Sequence, residues 1–148
     1  MSRTLSYRGK LDIGTQDRIK LSTINGKTGY KVKKFQIIST TPGAANSELI
    51  GQIFKTDQTG SIGTVVDFSD SELIAVSQLH DANSTSYGFT EQFIFDNVKF
   101  NQDIYVNITD ISGSTVPANY YIELEQMPLS DIEATYLTLR SLKNLASK

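Results

Sequence analysis

Arg18-Ile19-Lys20-Leu21-Ser22-Thr23, then Ile24-Asn25-Gly26, then Lys27-Thr28-Gly29-Tyr30-Lys31-Val32 is the stretch on which the fold turns. Ile19, Leu21 and Thr23 alternate with Arg18, Lys20 and Ser22. Alternation with period two places one set on a core face and the other in water, because successive strand side chains point to opposite sides. Asn25-Gly26 is the strongest short hairpin signal, since a type I′ turn needs positive φ at both central residues. A two-residue loop at 25–26 would set Leu21 opposite Tyr30 and Ile19 opposite Val32. Apolar residues then meet on both strands, so turn chemistry and pattern agree.

Working outward, the run continues into Phe35, Ile37 and Ile38. Its apolar parity changes after Val32, which predicts a β-bulge near Lys33-Lys34 or a bend into a second sheet. Pro42-Gly43 breaks it. Toward the N-terminus, Leu5, Tyr7, Leu11 and Ile13 share one parity and Gly14 ends that strand. Leu49 to Phe54 reads as a strand, Asp57 to Gly60 as a turn, and Val65 to Phe68 is a short apolar run. Glu72 to Leu79 fits a helical stripe or a buried strand, and the all-β surroundings favour the strand. Asp81 to Gly88 is a polar loop. Phe93 to Phe95 and Val98 to Phe100 flank Asp96-Asn97. Ile104, Val106 and Ile108, then Tyr120, Ile122 and Leu124, alternate on either side of a turn region at 112–119. A second hairpin would pair Ile108 with Tyr120, Val106 with Ile122 and Ile104 with Leu124.

The period changes after Pro128. Ser130-Asp131-Ile132-Glu133 is a capping box, with Asp131 suited to the positive end of the helix dipole. Ile132, Tyr136, Leu139 and Leu142 then recur on one helical face. The short helix runs to about Asn144. Its apolar face either covers the sandwich or docks on a partner, and packing on its own sandwich is the simpler expectation. The expected architecture is mainly β: a β-sandwich or jelly-roll-like antiparallel domain over 1–128, with 129–148 as a C-terminal amphipathic α-helix of the same domain.

The 148 residues suffice for one domain with its own core. There is no cysteine and a single histidine, His80. That excludes disulfides, Cys/His zinc sites, iron–sulfur clusters and a cysteine nucleophile. Lys+Arg is 14 against 16 Asp+Glu, a net charge of −2, which is not the basic excess of a nucleic-acid binder. No apolar run reaches the length of a membrane span, and Met1-Ser2-Arg3-Thr4-Leu5-Ser6 lacks the apolar stretch of a signal peptide. The expectation is a protein made in a cytosol and kept there, or carried by something assembled there.

Several motifs fail on inspection. Gly26-Lys27-Thr28 resembles the end of a P-loop, but Leu21 stands where its first glycine belongs. His80 precedes Asp81, yet no G-x-S-x-G places a serine on a strained turn. Asp67, Asp70 and Glu72, with Ser69 and Ser71, offer oxygen ligands but not the EF-hand order, and read as a polar turn. Asn83-Ser84-Thr85 and Asn107-Ile108-Thr109 match glycosylation sequons, which carry little weight without a signal peptide. Glu123 and Glu125 share a strand face that the alternation turns to solvent. Lys31, Lys33 and Lys34, with Lys27 and Lys20, form a basic patch. Lysines on a wet strand face also block edge-to-edge aggregation, and an acidic protein neighbour suits the patch better than nucleic acid. No cofactor or metal site emerges, and the reading is non-enzymatic.

Blocks across nearly the whole chain carry a resemblance. They are Arg3-Thr4-Leu5-Ser6-Tyr7-Arg8-Gly9 through Asp17-Arg18-Ile19-Lys20-Leu21-Ser22-Thr23, and Phe35-Gln36-Ile37-Ile38-Ser39-Thr40-Thr41-Pro42-Gly43. Further on come Phe95-Asp96-Asn97 with Phe100-Asn101-Gln102-Asp103-Ile104-Tyr105-Val106, then Asn119-Tyr120-Tyr121-Ile122-Glu123-Leu124-Glu125. Leu129-Ser130-Asp131 with Leu137-Thr138-Leu139-Arg140 closes the set. In these the chain resembles small virion structural proteins of marine tailed phages, of the T4-like cyanophage type. The resemblance implies a virion protein assembled in the bacterial host cytoplasm. It carries over no functional residues.

The function expected is a capsid decoration (cement) protein on the outer capsid surface. It would bind the major capsid protein or another virion protein, as a homo-oligomer or symmetric cluster, with no nucleic acid and no membrane as partner. A tail, baseplate or fibre-anchoring part is the alternative, as is a module for host carbohydrate using Tyr87 and Phe89. The residues expected at the contact are Lys27, Lys31, Lys33 and Lys34 for an acidic neighbour, and Tyr136, Leu139 and Leu142 for a groove.

Overall fold

A computed structural model of the chain describes residues 3–42, 47–81, 89–95, 98–113 and 115–146. Among the described residues eight strands precede one helix: β1 Arg3–Leu11, β2 Thr15–Ile19, β3 Thr28–Ser39, β4 Ser47–Phe54, β5 Leu73–Asp81, β6 Phe89–Ile94, β7 Ile104–Asp110, β8 Ala118–Pro128 and α1 Asp131–Ala146. A three-stranded sheet has the order β1-β8-β3, and a five-stranded sheet the order β2-β7-β4-β5-β6. All pairs are antiparallel. The chain is therefore the expected mainly-β sandwich with one C-terminal helix. The chain changes sheet between β1 and β2, β2 and β3, β3 and β4, and β7 and β8. This is the winding of a jelly roll, with β6 remaining beside β5.

Both expected hairpins are absent. After Ile19 the chain leaves the five-stranded sheet and enters the three-stranded one at Thr28, so β2 pairs with β7 and β3 with β8. β7 and β8 likewise sit in opposite sheets. The apolar stripes do meet, but across the sandwich rather than along it. Ile19, Tyr30, Val32, Ile104, Val106, Ile108, Tyr120, Ile122 and Leu124 all lie in the one core. The expected β-bulge is present: the β3–β8 register shifts between Val32 and Lys34. It lets Tyr30 and Val32, before the shift, and Phe35 and Ile37, after it, all face inward.

Core packing fixes Gly51 on β4. A Cβ there would stand 2.8 Å from Phe35 Cζ and 3.1 Å from Ile37 Cγ2, so only glycine admits the two side chains from the opposite sheet. Two side-chain hydrogen bonds tie one sheet to the other. Phe35 N donates to Gln92 Oε1 at 3.1 Å, joining β3 to β6. Tyr120 Oη donates to Asp17 Oδ2 at 2.8 Å, joining β8 to β2. Burial and then this carboxylate push the Tyr120 phenol well above its ordinary pKa.

Two shorter apolar runs lie outside the named strands. Val65 to Phe68 belongs to a cover over the outer face of the five-stranded sheet. Gln52 Nε2 donates to Val65 O at 3.3 Å, and Thr109 Oγ1 to Gly63 O at 3.4 Å, so buried sheet polar groups find partners in this loop. Val98 to Phe100 contributes only an isolated bridge, Phe100 with Tyr30. Glu72 to Leu79 resolves as strand β5. The expected loop at 81–88 lies outside the described residues from position 82 onward.

Candidate functional site

The helix is built as its sequence predicts but faces the other way. Glu133 N donates to Ser130 Oγ at 3.2 Å, and Ser130 N returns a longer bond to Glu133 Oε1 at 3.5 Å. Lys99 Nζ also donates to Glu133 Oε2 at 3.0 Å. That bond, followed by the Ser130 amide, holds the Glu133 carboxyl below its ordinary pKa.

The seat of the helix is polar. Leu129 N donates to Lys27 O at 2.8 Å. The buried Asn101 amide donates to Gly26 O at 2.9 Å, to Thr138 Oγ1 at 3.0 Å and, at the limit of hydrogen-bond distance, to Ala134 O at 3.5 Å. Gly26 has φ +66°, and a Cβ there would meet Thr138 Oγ1 at 3.1 Å. The Asn25-Gly26 turn thus makes no hairpin. It is the saddle on which α1 rests, and close approach demands small residues on the helix side. Ala134 is buried, while Leu137, Thr138 and Ser141 are half-buried on that same face.

The apolar stripe consequently points outward. Ile132 is 83% exposed, Tyr136 60%, Leu139 61% and Leu142 58%. This corrects the expectation that the stripe packs on its own sandwich. The helix is held by Ala134, Thr138 and the Asn101 amide, whose geometry a bulky face would not fit.

The four expected lysines divide. Lys27 Nζ pairs with Asp131 Oδ1 at 2.9 Å and lies beside Leu139 in a shallow hollow at the start of the helix. Lys31 stands in register with Glu125 and Lys34 with Glu123, on the outer face of the three-stranded sheet. Lys34 Nζ is 4.0 Å from Glu123 Oε2. Lys33 sits exposed at the bulge. The patch is therefore laced with carboxylates from β8, which the sequence pattern had assigned to solvent without placing them between β1 and β3. Only Lys27 shares a surface with the helix residues.

Beside the stripe runs a cleft of about 490 Å³. Phe68 and Phe95 form one wall, and Tyr136 and Leu137 of α1 the other. Phe68 lies edge-on to Phe93 and to Phe95, with ring centroids 5.5 and 5.2 Å apart. Lys55, Lys99, Arg140, Asp70 and Glu133 supply its charges. Burial, followed by repulsion from Arg140, lowers the Lys55 pKa. Of these positions Tyr136 stands out in the sequence as part of the helix stripe, Asp70 as an acid of a polar turn and Glu133 as the capping-box partner. Phe68 ends a short apolar run, and Lys55 and Arg140 are far apart along the chain. Only the 3.6-residue period of α1, aligned with a known docking side, would have pointed Arg140 at them.

The remaining candidates stay separate from this surface. His80 Nδ1 lies 3.2 Å from Glu48 Oε1, across the β4–β5 pair. Asp67 Oδ1 accepts from Ser69 N and Oγ, and Asp70 Oδ1 accepts from Glu72 N, so these acids close local turns. Among the described residues no group of three or more histidine, cysteine or carboxylate side chains is placed to hold a metal ion. No helix among them is long and apolar enough to cross a membrane. Tyr87 and the Phe89 side chain, named for carbohydrate binding, lie outside the described residues. No protein-family model matches the chain, and no curated protein matches it.

Proposed function

We propose that this chain is a non-enzymatic structural component of a phage virion, a capsid decoration protein that docks on the outer capsid surface through its terminal helix. The observation that carries this reading is the outward stripe of Ile132, Tyr136, Leu139 and Leu142. A contiguous exposed apolar face rimmed by polar residues is the mark of a protein–protein contact. The virion itself comes from the resemblance of the sequence blocks described above. The jelly-roll winding agrees with that setting, since such domains recur in capsids, although fold alone assigns no function.

The test is the number of copies of this chain per purified particle, by quantitative mass spectrometry against the major capsid protein. A ratio near one-to-one, or one per small cluster of capsid subunits, is expected. Tens of copies per particle would move the protein to the tail or baseplate, and absence from particles would overturn the virion reading.

The lysines take a minor part in this contact. Lys31 and Lys34 already stand opposite Glu125 and Glu123, so part of the patch's charge is offset within the sheet. The double variant Lys31→Glu, Lys33→Glu is expected to retain binding to stripped particles within about threefold at moderate salt. A loss of tenfold or more in a pull-down titration would return the basic patch to the centre of the contact.

A further inference from the structure

The cleft beside the stripe has a specific chemistry. Its walls are aromatic and aliphatic, from Phe68, Phe95, Tyr136 and Leu137. Of its three cations, Lys99 is taken by Glu133 at 3.0 Å. Lys55 and Arg140 form none of the ion pairs among the described residues, which are Arg18–Asp103, Lys27–Asp131, Lys34–Glu123, Lys99–Glu133 and the contact of His80 with Glu48. The half-buried Lys55 and the exposed Arg140 repel one another. Asp70 and Glu72 attract Lys55 without reaching ion-pair distance, and Asp70 Oδ1 already accepts from Glu72 N. The cleft therefore offers an apolar bed beside two cations held in no ion pair among the described residues, and its volume suits a few side chains rather than a whole element.

We infer that this cleft takes an acidic–apolar peptide segment of a neighbouring protein, with an aromatic or leucine side chain between Phe68 and Tyr136 and an adjacent carboxylate on Arg140 and Lys55. Charge complementarity selects this occupant. A neutral apolar segment would leave both cations desolvated and unpaired, which costs more than it gains. Arginine matches a carboxylate with two parallel donors, so Arg140 supplies the geometry and Lys55 adds charge behind it. The inference rests on reading the helix surface as a protein docking face, and it names the chemistry of what arrives there.

The experiment uses the purified full chain, isotope-labelled, titrated with a 12-residue acetylated peptide containing Glu-Phe-Glu-Leu in a Ser/Gly background. Saturable amide shifts at Phe68, Phe95, Tyr136 and Arg140 are expected. Arg140→Gln, at an exposed helix position that does not threaten folding, is expected to weaken binding about tenfold, as loss of a charge-assisted hydrogen bond does. Lys143→Gln on the same helix, away from the cleft, is the control and should change nothing. The same peptide with both glutamates replaced by glutamine should bind at least tenfold more weakly. Equal binding of the two peptides would overturn the inference, as would no shifts at millimolar peptide. So would concentration-dependent shifts at these residues without peptide, which would show a second copy filling the cleft. Copy number per particle is read independently, so either reading can fail while the other stands.

Discussion

Replacing Leu139 and Leu142 together with glutamine is expected to cut binding to stripped particles about a hundredfold while leaving the unfolding midpoint within about two degrees. The two halves of this result come from one feature. Both leucines are more than half exposed, so the folded chain gains little from them, and surface substitutions of this kind cost within about 0.5 kcal/mol. Glutamine is a good helix former, so α1 persists. In a docked state the same leucines leave water, and each contributes about 1.5–3 kcal/mol. Their joint loss, at 1.4 kcal/mol per factor of ten, gives two decades or more. Neither leucine lines the aromatic cleft, so the variant tests the stripe alone. A stability loss of several degrees with unchanged particle binding would show that the stripe serves the fold instead. The measurement pairs a thermal melt with a sedimentation binding assay.

The second large effect concerns stability. Asp103 precedes β7 and is buried. Its Oδ1 accepts from Leu21 N at 2.8 Å and Ser22 N at 2.9 Å, and its Oδ2 meets Arg18 Nε at 2.7 Å. It thus fixes the segment that leaves β2 and crosses to the other sheet, where no strand pairing is available. Asp103→Ala strands both amides, the Leu21 amide in the interior. Each orphaned donor costs about 1–3 kcal/mol, so about 3 kcal/mol in total is expected. For a chain of this size that lowers the midpoint by about 6–12 °C.

The effect has a definite pH dependence. Burial alone would raise the Asp103 carboxyl, but the Ser22 and Leu21 amides and then Arg18 outweigh it, and the folded-state pKa lies below the ordinary value. The charged form is the one stabilised in the folded chain. Its contribution is fully present above about pH 4, where an unfolded aspartate is ionised, and it is lost as pH falls through the depressed folded value. The stability gap between the natural chain and Asp103→Asn should therefore narrow between pH 5 and pH 2 in denaturant titrations. A gap that stays constant over that range would remove the carboxylate from this account.

What could be read from the sequence follows a physical line. Alternation shows which side of a strand faces the core, and it is right for β1, β3, β7 and β8, including the bulge after Val32. It does not show which strand lies alongside. Ile104, Val106 and Ile108 match Tyr120, Ile122 and Leu124 whether the two strands pair edge to edge or stack face to face, since both arrangements bury the same residues. Asn25-Gly26 signalled a backbone that needs positive φ, and Gly26 has it. What it could not signal was the reason, which is the approach of Thr138 from more than a hundred residues away. The helix was legible in extent and cap but not in orientation. A stripe of Ile132, Tyr136, Leu139 and Leu142 looks the same whether sandwich or partner covers it. The deciding information lay in the small residues opposite, Ala134, Thr138 and Ser141, and in the buried amide of Asn101. The cleft was illegible because Phe68, Lys55 and Arg140 meet only after the sandwich has closed.

The place of β8 between β1 and β3 sets the order of events during synthesis. While the ribosome is still short of Ala118, β1 and β3 have no hydrogen-bonding neighbour in their sheet. The strands of the five-stranded sheet, β2, β4, β5, β6 and β7, all precede Ala118 and can pair before then. Arg3 must then find Gln126 across almost the whole chain. Such long closures make folding slow relative to helical proteins of similar size. The sandwich therefore closes late, and α1, which follows β8 directly and rests on the turn before β3, receives its seat last. A chain that has not yet placed β8 between β1 and β3 cannot present a correctly seated helix.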